Sequence, residues 1–312
     1  MSAPILITGK SGQVGWELQR LLKDVGPIIA LDRDAMDLSQ PDSIRRTFAD
    51  VRPSIIINAA AYTGVDLAEE EPDYAQMVNG NAPGIMAEEA AKIGALLIHY
   101  STDYVFDGKK QTPYVETDQP NPVNAYGMTK LIGERAIESS AANYLIFRTS
   151  WVYSTRGKNF LLTILRLARE REELKIVDDQ IGIPNWSHAI AEATAAVIAK
   201  LQKTKAKGGR SKNPKTVRGV YHMAGSGETS WFGFAEAILA EIHKGGFGAT
   251  IMQQVPVIAK AVRPITTAEY PTRARRPAYS VLNSSKLKKT FGVELPSWKL
   301  QLKAAVRADK LA

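Results

Sequence analysis

Tyr126 and Lys130 stand four residues apart in the run NAYGMTKLIGE, a spacing that could do proton-transfer chemistry. The pattern predicts a helix over 124–138, where i, i+4 positions put the phenol and the ammonium on one face. A free phenol has a pKa near ~10, and a neighbouring cation lowers it, which makes such a pair a usable general acid. The same spacing also arises from a half-buried tyrosine beside a solvated lysine. The elements that position the pair must therefore decide.

The first of these elements is a phosphate cradle. Ile5-Leu6-Ile7 reads as a buried strand, Gly9, Ser11, Gly12, Gln13, Val14 and Gly15 form a glycine turn, and a helical pattern follows from Trp16 to Leu22. Glycines let the backbone approach a pyrophosphate closely, and the unpaired N–H groups at the helix start point at the anion. The spacing is GxxGxxG, which departs from the dinucleotide fingerprint GxGxxG. A second strand over 27–31 ends in Asp32, where that fingerprint places a carboxylate for the adenosine ribose. Arg33 follows and could accept a 2′-phosphate, so NADPH and NADH are both expected cofactors.

Strands and helices alternate along the chain, which predicts an α/β fold with a Rossmann-type, doubly wound parallel sheet. Helices are expected over 43–49, 74–94 and 126–139, and strands over 54–58, 95–100 and 144–148. Ligands in such sheets bind beyond the carboxyl ends of the strands. Those positions carry Asn58 to Thr63, Ser101-Thr102-Asp103 and Thr149-Ser150-Trp151. At 312 residues the chain suits a dinucleotide-binding domain over 1–155, rejoined by segments of the second half, with residues 156–312 mainly a smaller substrate-binding region.

Composition narrows the class. There is no cysteine, hence no disulfide and no thiolate metal site. No signal-like segment opens the chain and no apolar run reaches membrane-spanning length, so the expected location is cytoplasmic and no membrane partner is expected. Much of the net charge of +8 lies in Lys203, Lys205, Lys207, Arg210, Lys212, Lys215 and Arg218. That stretch has glycines but no aromatic residue to stack a base, so it reads as a solvated connection and not as a nucleic-acid site.

With these residues in view, the chain resembles the extended branch of the short-chain dehydrogenase/reductase superfamily. The strings TDYVFDG, NAYGMTKLIGE, FRTSWVYS followed by Asn159-Phe160, DDQIGIP and RPAYSVLNSSKL further resemble the dTDP-4-dehydrorhamnose reductases. The resemblance runs through most of the chain. It implies reduction of the C4 keto group of dTDP-4-dehydro-L-rhamnose by NADPH or NADH, the last step of dTDP-L-rhamnose synthesis. Tyr126 would protonate the C4 oxygen, Lys130 would lower the phenol's pKa and hold the nicotinamide ribose, and Thr102 would hydrogen-bond near the same oxygen. Asp103 and Trp151 would lie at the sugar. Cofactor contacts would fall on Gly9, Ser11, Gly12, Gln13, Val14 and Gly15, on Asp32, Arg33, Asp37 and Leu38, on Ala60, Ala61 and Tyr62, and on Tyr126 and Lys130.

Arg276, followed by Pro277, matches the family's RP motif and is the candidate for the substrate's diphosphate, with a solvated arginine or an intramolecular ion pair as the alternatives. Some members hold Mg²⁺ between the subunits of a homodimer through carboxylates of the first helix and of the helix after DQxGxP. Glu17 matches the first ligand, but His188 stands where the second acid is expected, and Mg²⁺ prefers oxygen. The resemblance leaves two rivals. One is another nucleotide-sugar enzyme, although Tyr104 after Asp103 removes the acidic pair of the 4,6-dehydratases. The other is a non-catalytic subunit resembling the regulatory partner of methionine adenosyltransferase, which would need no Thr102, Tyr126 and Lys130 together.

Overall fold

The computed structural model describes residues 3–206, 217–244 and 258–311. Six strands among them form one parallel sheet in the order β2-β1-β3-β4-β5-β10. They are β1 (Ile5–Thr8), β2 (Ile28–Leu31), β3 (Ile55–Asn58), β4 (Leu96–Thr102), β5 (Asn143–Thr149) and β10 (Gly219–His222). The chain runs from β1 outward to β2, then crosses back over β1 to β3 on its other side. The strand order therefore reverses between β1 and β3, where doubly wound sheets bind ligands.

The strands are continuously apolar because both faces are covered. Ile5, Ile7, Ile55, Ile57, Ile98, Leu145 and Phe147 enter one core, shared with Leu18 and Leu22 near the first helix. The alternate residues Leu6, Ile56, Leu97 and Ile146 enter a second core. That core is closed by Ile44 and Phe48 of α2 (Pro41–Val51) and by Met86 and Ala90 of the helix over Ala82–Ile93. Period-two alternation thus builds two cores from one sheet.

The remaining elements, in chain order, are α1 (Gln13–Leu21), α3 (Leu67–Glu70), α4 (Pro72–Gln76), α5 (Ala82–Ile93) and α6 (Ala125–Glu138). After β5 come β6 (Val152–Tyr153), α7 (Phe160–Glu170), β7 (Glu173–Val177), β8 (Ile181–Gly182), β9 (Asn185–Trp186) and α8 (Ser187–Ala206). The last are β11 (Thr229–Ser230), α9 (Trp231–His243), β12 (Ala261–Ile265), α10 (Ser285–Phe291) and α11 (Trp298–Leu311). Residues 207–216, which hold most of the basic stretch, lie outside the described residues. No helix of the described residues is long and apolar enough to cross a membrane.

One element differs in kind from the sequence expectation. The helix expected over 74–94 is broken by a π-helical turn, Met77–Asn81, between α4 and α5. Pro83 has no N–H to donate to Asn79, which favours a wider turn at that point. The Asn79 side chain then reaches across to the loop after β3. Its Oδ1 accepts from Tyr62 N at 2.8 Å, and its Nδ2 donates to Tyr62 O at 3.0 Å and to Thr129 Oγ1 at 3.3 Å. The turn ties α6 to that loop.

Candidate active site

A cleft of ≈ 710 Å³ opens at the carboxyl ends of β1, β2 and β3. Gly9, Ser11, Gly12, Gln13, Val14, Asp32, Arg33, Asp37, Leu38, Ala60, Ala61, Tyr62, Tyr126 and Lys130 all line it. The turn at its floor depends on two glycines. Gly9 sits at φ +70, and a Cβ on Gly15 would come within 2.1 Å of Gly9 O, so the first turn of α1 packs directly on the backbone after β1. Gly12 caps α1 with no side-chain bond, and the first turn holds no acid. The helix's leading N–H groups are thus left for an anion.

Asp32 is fixed by Ser11, whose N and Oγ donate to Oδ1 at 3.1 and 3.2 Å. Among the described residues the other carboxylate oxygen accepts no hydrogen bond. Arg33 lies over the Tyr74 ring at 5.5 Å and within 3.9 Å of Asp37. Hydrogen bonds from the Ser39 side chain and backbone hold Asp37 below the usual carboxylate range. An acceptor for ribose hydroxyls and a cation for a phosphate therefore share the adenosine end.

α6 positions the chemistry. Its N-cap, Asn124, accepts from Gly127 N at 2.7 Å and donates to Arg275 O at 2.8 Å, which locks the helix start to the C-terminal region. Tyr126 lies near enough to Thr102, at the end of β4, for that hydroxyl to act on the phenol, and its ring meets Tyr104 edge-on at 5.9 Å. Thr102 Oγ1 also donates to Asp103 Oδ1 at 3.1 Å and accepts from Tyr104 N. Burial pushes the Asp103 carboxyl up to about 7, opposed by Ser280 and Thr102. Burial likewise pushes the Tyr126 phenol up to about 12, opposed by Thr102 and reinforced by Asp103.

This corrects one expectation. Lys130 does not lower the Tyr126 pKa in this structure. Its ammonium is turned beneath the sheet end, donating to Tyr100 O at 2.7 Å and lying 3.1 Å from His99 Nε2. The lysine is 1% exposed, and burial lowers its pKa to about 8 against the pull of Glu134.

Sequence reading missed the network under Lys130. His99, at 1% exposure, faces Lys130 with one ring nitrogen and accepts from Asn58 Nδ2 with the other at 3.0 Å. Asn58 Oδ1 accepts from Thr8 Oγ1 at 2.7 Å, and Thr8 Oγ1 in turn accepts from Ala60 N. Burial first, and then the lysine charge, drive the His99 pKa well below its ordinary value. A neutral imidazole thus links the lysine to the loop that floors the cofactor cleft. A single polar residue inside the apolar run ALLIHYST was the signal.

Trp151, which follows β5 and is not among the residues lining the cleft, takes φ +43, a conformation rare outside glycine, and stacks on Trp231 of α9 at 3.5 Å. Trp231 Nε1 donates to Gln180 Oε1 at 3.2 Å, so DDQIGIP buttresses this aromatic wall. Arg276 forms the intramolecular ion pair: Nη1 and Nη2 donate to the two oxygens of Asp66 at 2.6 and 2.7 Å. It also hydrogen-bonds Tyr104. The candidate phosphate ligand is thus engaged within the protein, and it orders the ring beside Tyr126.

The Arg276 hydrogen bond, ahead of other causes, holds the Asp66 carboxyl down to about 2. A carboxyl depressed on folding stabilises the protein above its unfolded pKa near 3.8 and ceases to do so as pH falls through about 2. The Asp66 side chain is 41% exposed, so solvent screening leaves about 1 kcal/mol. Asp66→Asn should cost that amount in urea unfolding at pH 7 and approach no cost near pH 2. A pH-independent difference would contradict this origin.

The metal expectation is also corrected. Glu17 is 5% exposed and bonded to His188 Nδ1 at 2.8 Å, while His188 Nε2 lies 3.3 Å from Glu192. The hydrogen bond to Glu17, and then the charges of Glu17 and Glu192, raise the His188 pKa against its burial, so both carboxylates are already engaged by the ring. No cluster of three potential metal ligands occurs among the described residues. This donor set does not fit Mg²⁺.

Comparison with known proteins agrees with this geometry. A family model described as the RmlD substrate binding domain matches residues 3–310. The chain belongs to that family. It is 48% identical over 303 residues to the dTDP-4-dehydrorhamnose reductase of Burkholderia thailandensis, covering 97% of this chain and 98% of that one. It is 43% identical to the Escherichia coli K12 enzyme of the same name, covering 96% and 95%. Among solved structures, the Clostridium acetobutylicum reductase superposes with a TM-score of 0.85 at 35% identity over 98% of this chain and 99% of that one. The Bacillus anthracis reductase, solved in complex with NADP, gives 0.83 at 33% over 97% and 98%. This RmlD-family chain thus carries the cleft of Tyr126 and Lys130 on a Rossmann-type sheet.

Proposed function

We propose that the protein reduces the C4 keto group of dTDP-4-dehydro-L-rhamnose to dTDP-L-rhamnose at the expense of NADPH or NADH, completing dTDP-rhamnose synthesis. The observation that carries this reading is the meeting of Thr102 and Tyr126 at the inner end of a dinucleotide cleft, in a chain with near-half identity to named reductases over its full length. A bound nicotinamide would supply the hydride to C4. Negative charge then grows on the carbonyl oxygen, where Tyr126 supplies the proton and Thr102 a hydroxyl. Lys130 would hold the nicotinamide ribose with N–H groups that Tyr100 O does not engage. Asp103, Trp151 and Tyr104 border the sugar, and residues 156–312 supply most of the substrate-binding region.

Asp32 and Arg33 together accept either cofactor, since one offers an acceptor to ribose hydroxyls and the other a cation to a 2′-phosphate. The cytoplasm, where nucleotide sugars and reduced cofactors meet, is the proposed location. The test is the purified protein with dTDP-4-dehydro-L-rhamnose and NADPH or NADH. Absorbance of the reduced cofactor should fall while dTDP-L-rhamnose forms in equal amount. Cofactor binding with no turnover would instead favour a regulatory subunit.

A further inference from the structure

Arg156 lies in the turn between β6 and α7, and its backbone is pinned by Asn159, whose Nδ2 donates to Ser154 O at 2.9 Å and to Arg156 O at 3.0 Å. The side chain behaves unlike the other arginines around the cleft. Arg33 contacts Asp37 and Arg276 grips Asp66, whereas Arg156 has neither an ion pair nor a side-chain hydrogen bond among the described residues. Its Nη1 is buried without a partner. The guanidinium is held only by the indole of Trp16 in the first turns of α1, 4.2 Å beneath it. A guanidinium carries five N–H donors, and withdrawing the two on Nη1 from water with no acceptor is unfavourable unless a ligand supplies one.

The same cleft is lined by Arg156, Gly157 and Lys158 on one side and by Ser11, Gly12, Gln13 and Val14 on the other. The two turns are close, since a Cβ on Gly157 would stand 3.8 Å from Gln13 Cγ. A helix N-terminus offers roughly half a positive charge, too little to balance the two charges of a pyrophosphate. A flat guanidinium above that turn offers paired N–H groups matched to phosphate oxygens.

We propose that Arg156, oriented by stacking on Trp16, is a binding residue for the cofactor's pyrophosphate, closing the anion site on the side opposite the α1 N-terminus. The inference rests on the nicotinamide dinucleotide occupying this cleft. Arg33 serves the adenosine end at β2, so Arg156 should not distinguish NADPH from NADH.

The experiment is calorimetric titration of the full chain and of Arg156→Met, which keeps an aliphatic stem over Trp16, with NADPH, NADH and ADP as probes. Kd should rise roughly 10- to 100-fold for all three in the variant, the range of a lost charge-assisted phosphate contact. Arg156→Lys should recover part of the loss, and the dependence of log Kd on log salt should flatten in Arg156→Met. A loss confined to NADPH would place the contact at the 2′-phosphate and overturn the proposal. Unchanged Kd for all three, with the wild type binding normally, would reduce Arg156 to a stacking role and also overturn it. A wild-type chain that binds none of the three would instead overturn the cofactor reading beneath it.

Discussion

Tyr126→Phe should lower kcat by roughly 10²- to 10⁴-fold, the contribution of a placed general acid, while leaving the Kd for NADPH near the wild-type value. The phenol lies beside Thr102, and its only described ring neighbour is Tyr104, so removing one oxygen leaves α6 and the glycine turn intact. A pKa near 12 does not weaken the acid role. It keeps the proton on the phenol throughout the neutral range, and the oxygen receiving it becomes more basic as hydride arrives. An alkoxide is about as basic as hydroxide, whose parent water has a pKa of ~15.7, so the transfer runs downhill from a phenol at 12. The interaction therefore strengthens toward the transition state, and its loss should appear in kcat and not in cofactor affinity. Stopped-flow reduction with saturating substrate separates the two, and a variant retaining more than a tenth of wild-type turnover would remove Tyr126 from the acid role.

The parts legible in the sequence were those set by local pattern. Alternation of strand and helix, the glycine turn, the carboxylate ending β2 and the i, i+4 pair each depend on neighbours in the chain. The π turn at Met77–Asn81 escaped because Pro83 alters the hydrogen bonding of a segment whose hydrophobic pattern still reads as one helix. The direction of Lys130 escaped for a different reason. Spacing puts Tyr126 and Lys130 on one helix face, but it does not say that the face lies against β4, where Tyr100 O takes the ammonium. Arg276 was read from its motif as a ligand for phosphate, yet its partner Asp66 lies 210 positions away, beyond any local signal. Arg156 falls between FRTSWVYS and Asn159-Phe160 and drew no role, since only the fold brings its turn against α1.

Glu134→Gln is expected to destabilise the protein by about 3–5 kcal/mol, the usual cost of breaking a buried ion pair from one side. Glu134 and Arg148 are 1% and 4% exposed and meet in a two-bond fork, Nε to Oε1 at 2.9 Å and Nη2 to Oε2 at 2.6 Å. The arginine cannot give up its proton, so an amide partner leaves a full charge beside Phe106 with no counter-ion. The consequence reaches the chemistry because Tyr126, Lys130 and Glu134 follow at i, i+4 and i+8 on the face of α6 turned toward the sheet. Glu134 is the one group that raises the Lys130 pKa against its burial. Without that carboxylate the lysine loses its proton at lower pH. The cationic form is the one that donates to the ribose, and in the wild type it is lost as pH rises through about 8. The alkaline limb of kcat/KM should therefore move to lower pH in Glu134→Gln, measured at a temperature where the variant stays folded. Groups facing Lys130 from β4 are neutral His99 and Tyr100, and neither supplies a replacement charge. A variant that melts early but keeps the wild-type pH profile would confine Glu134 to its partnership with Arg148.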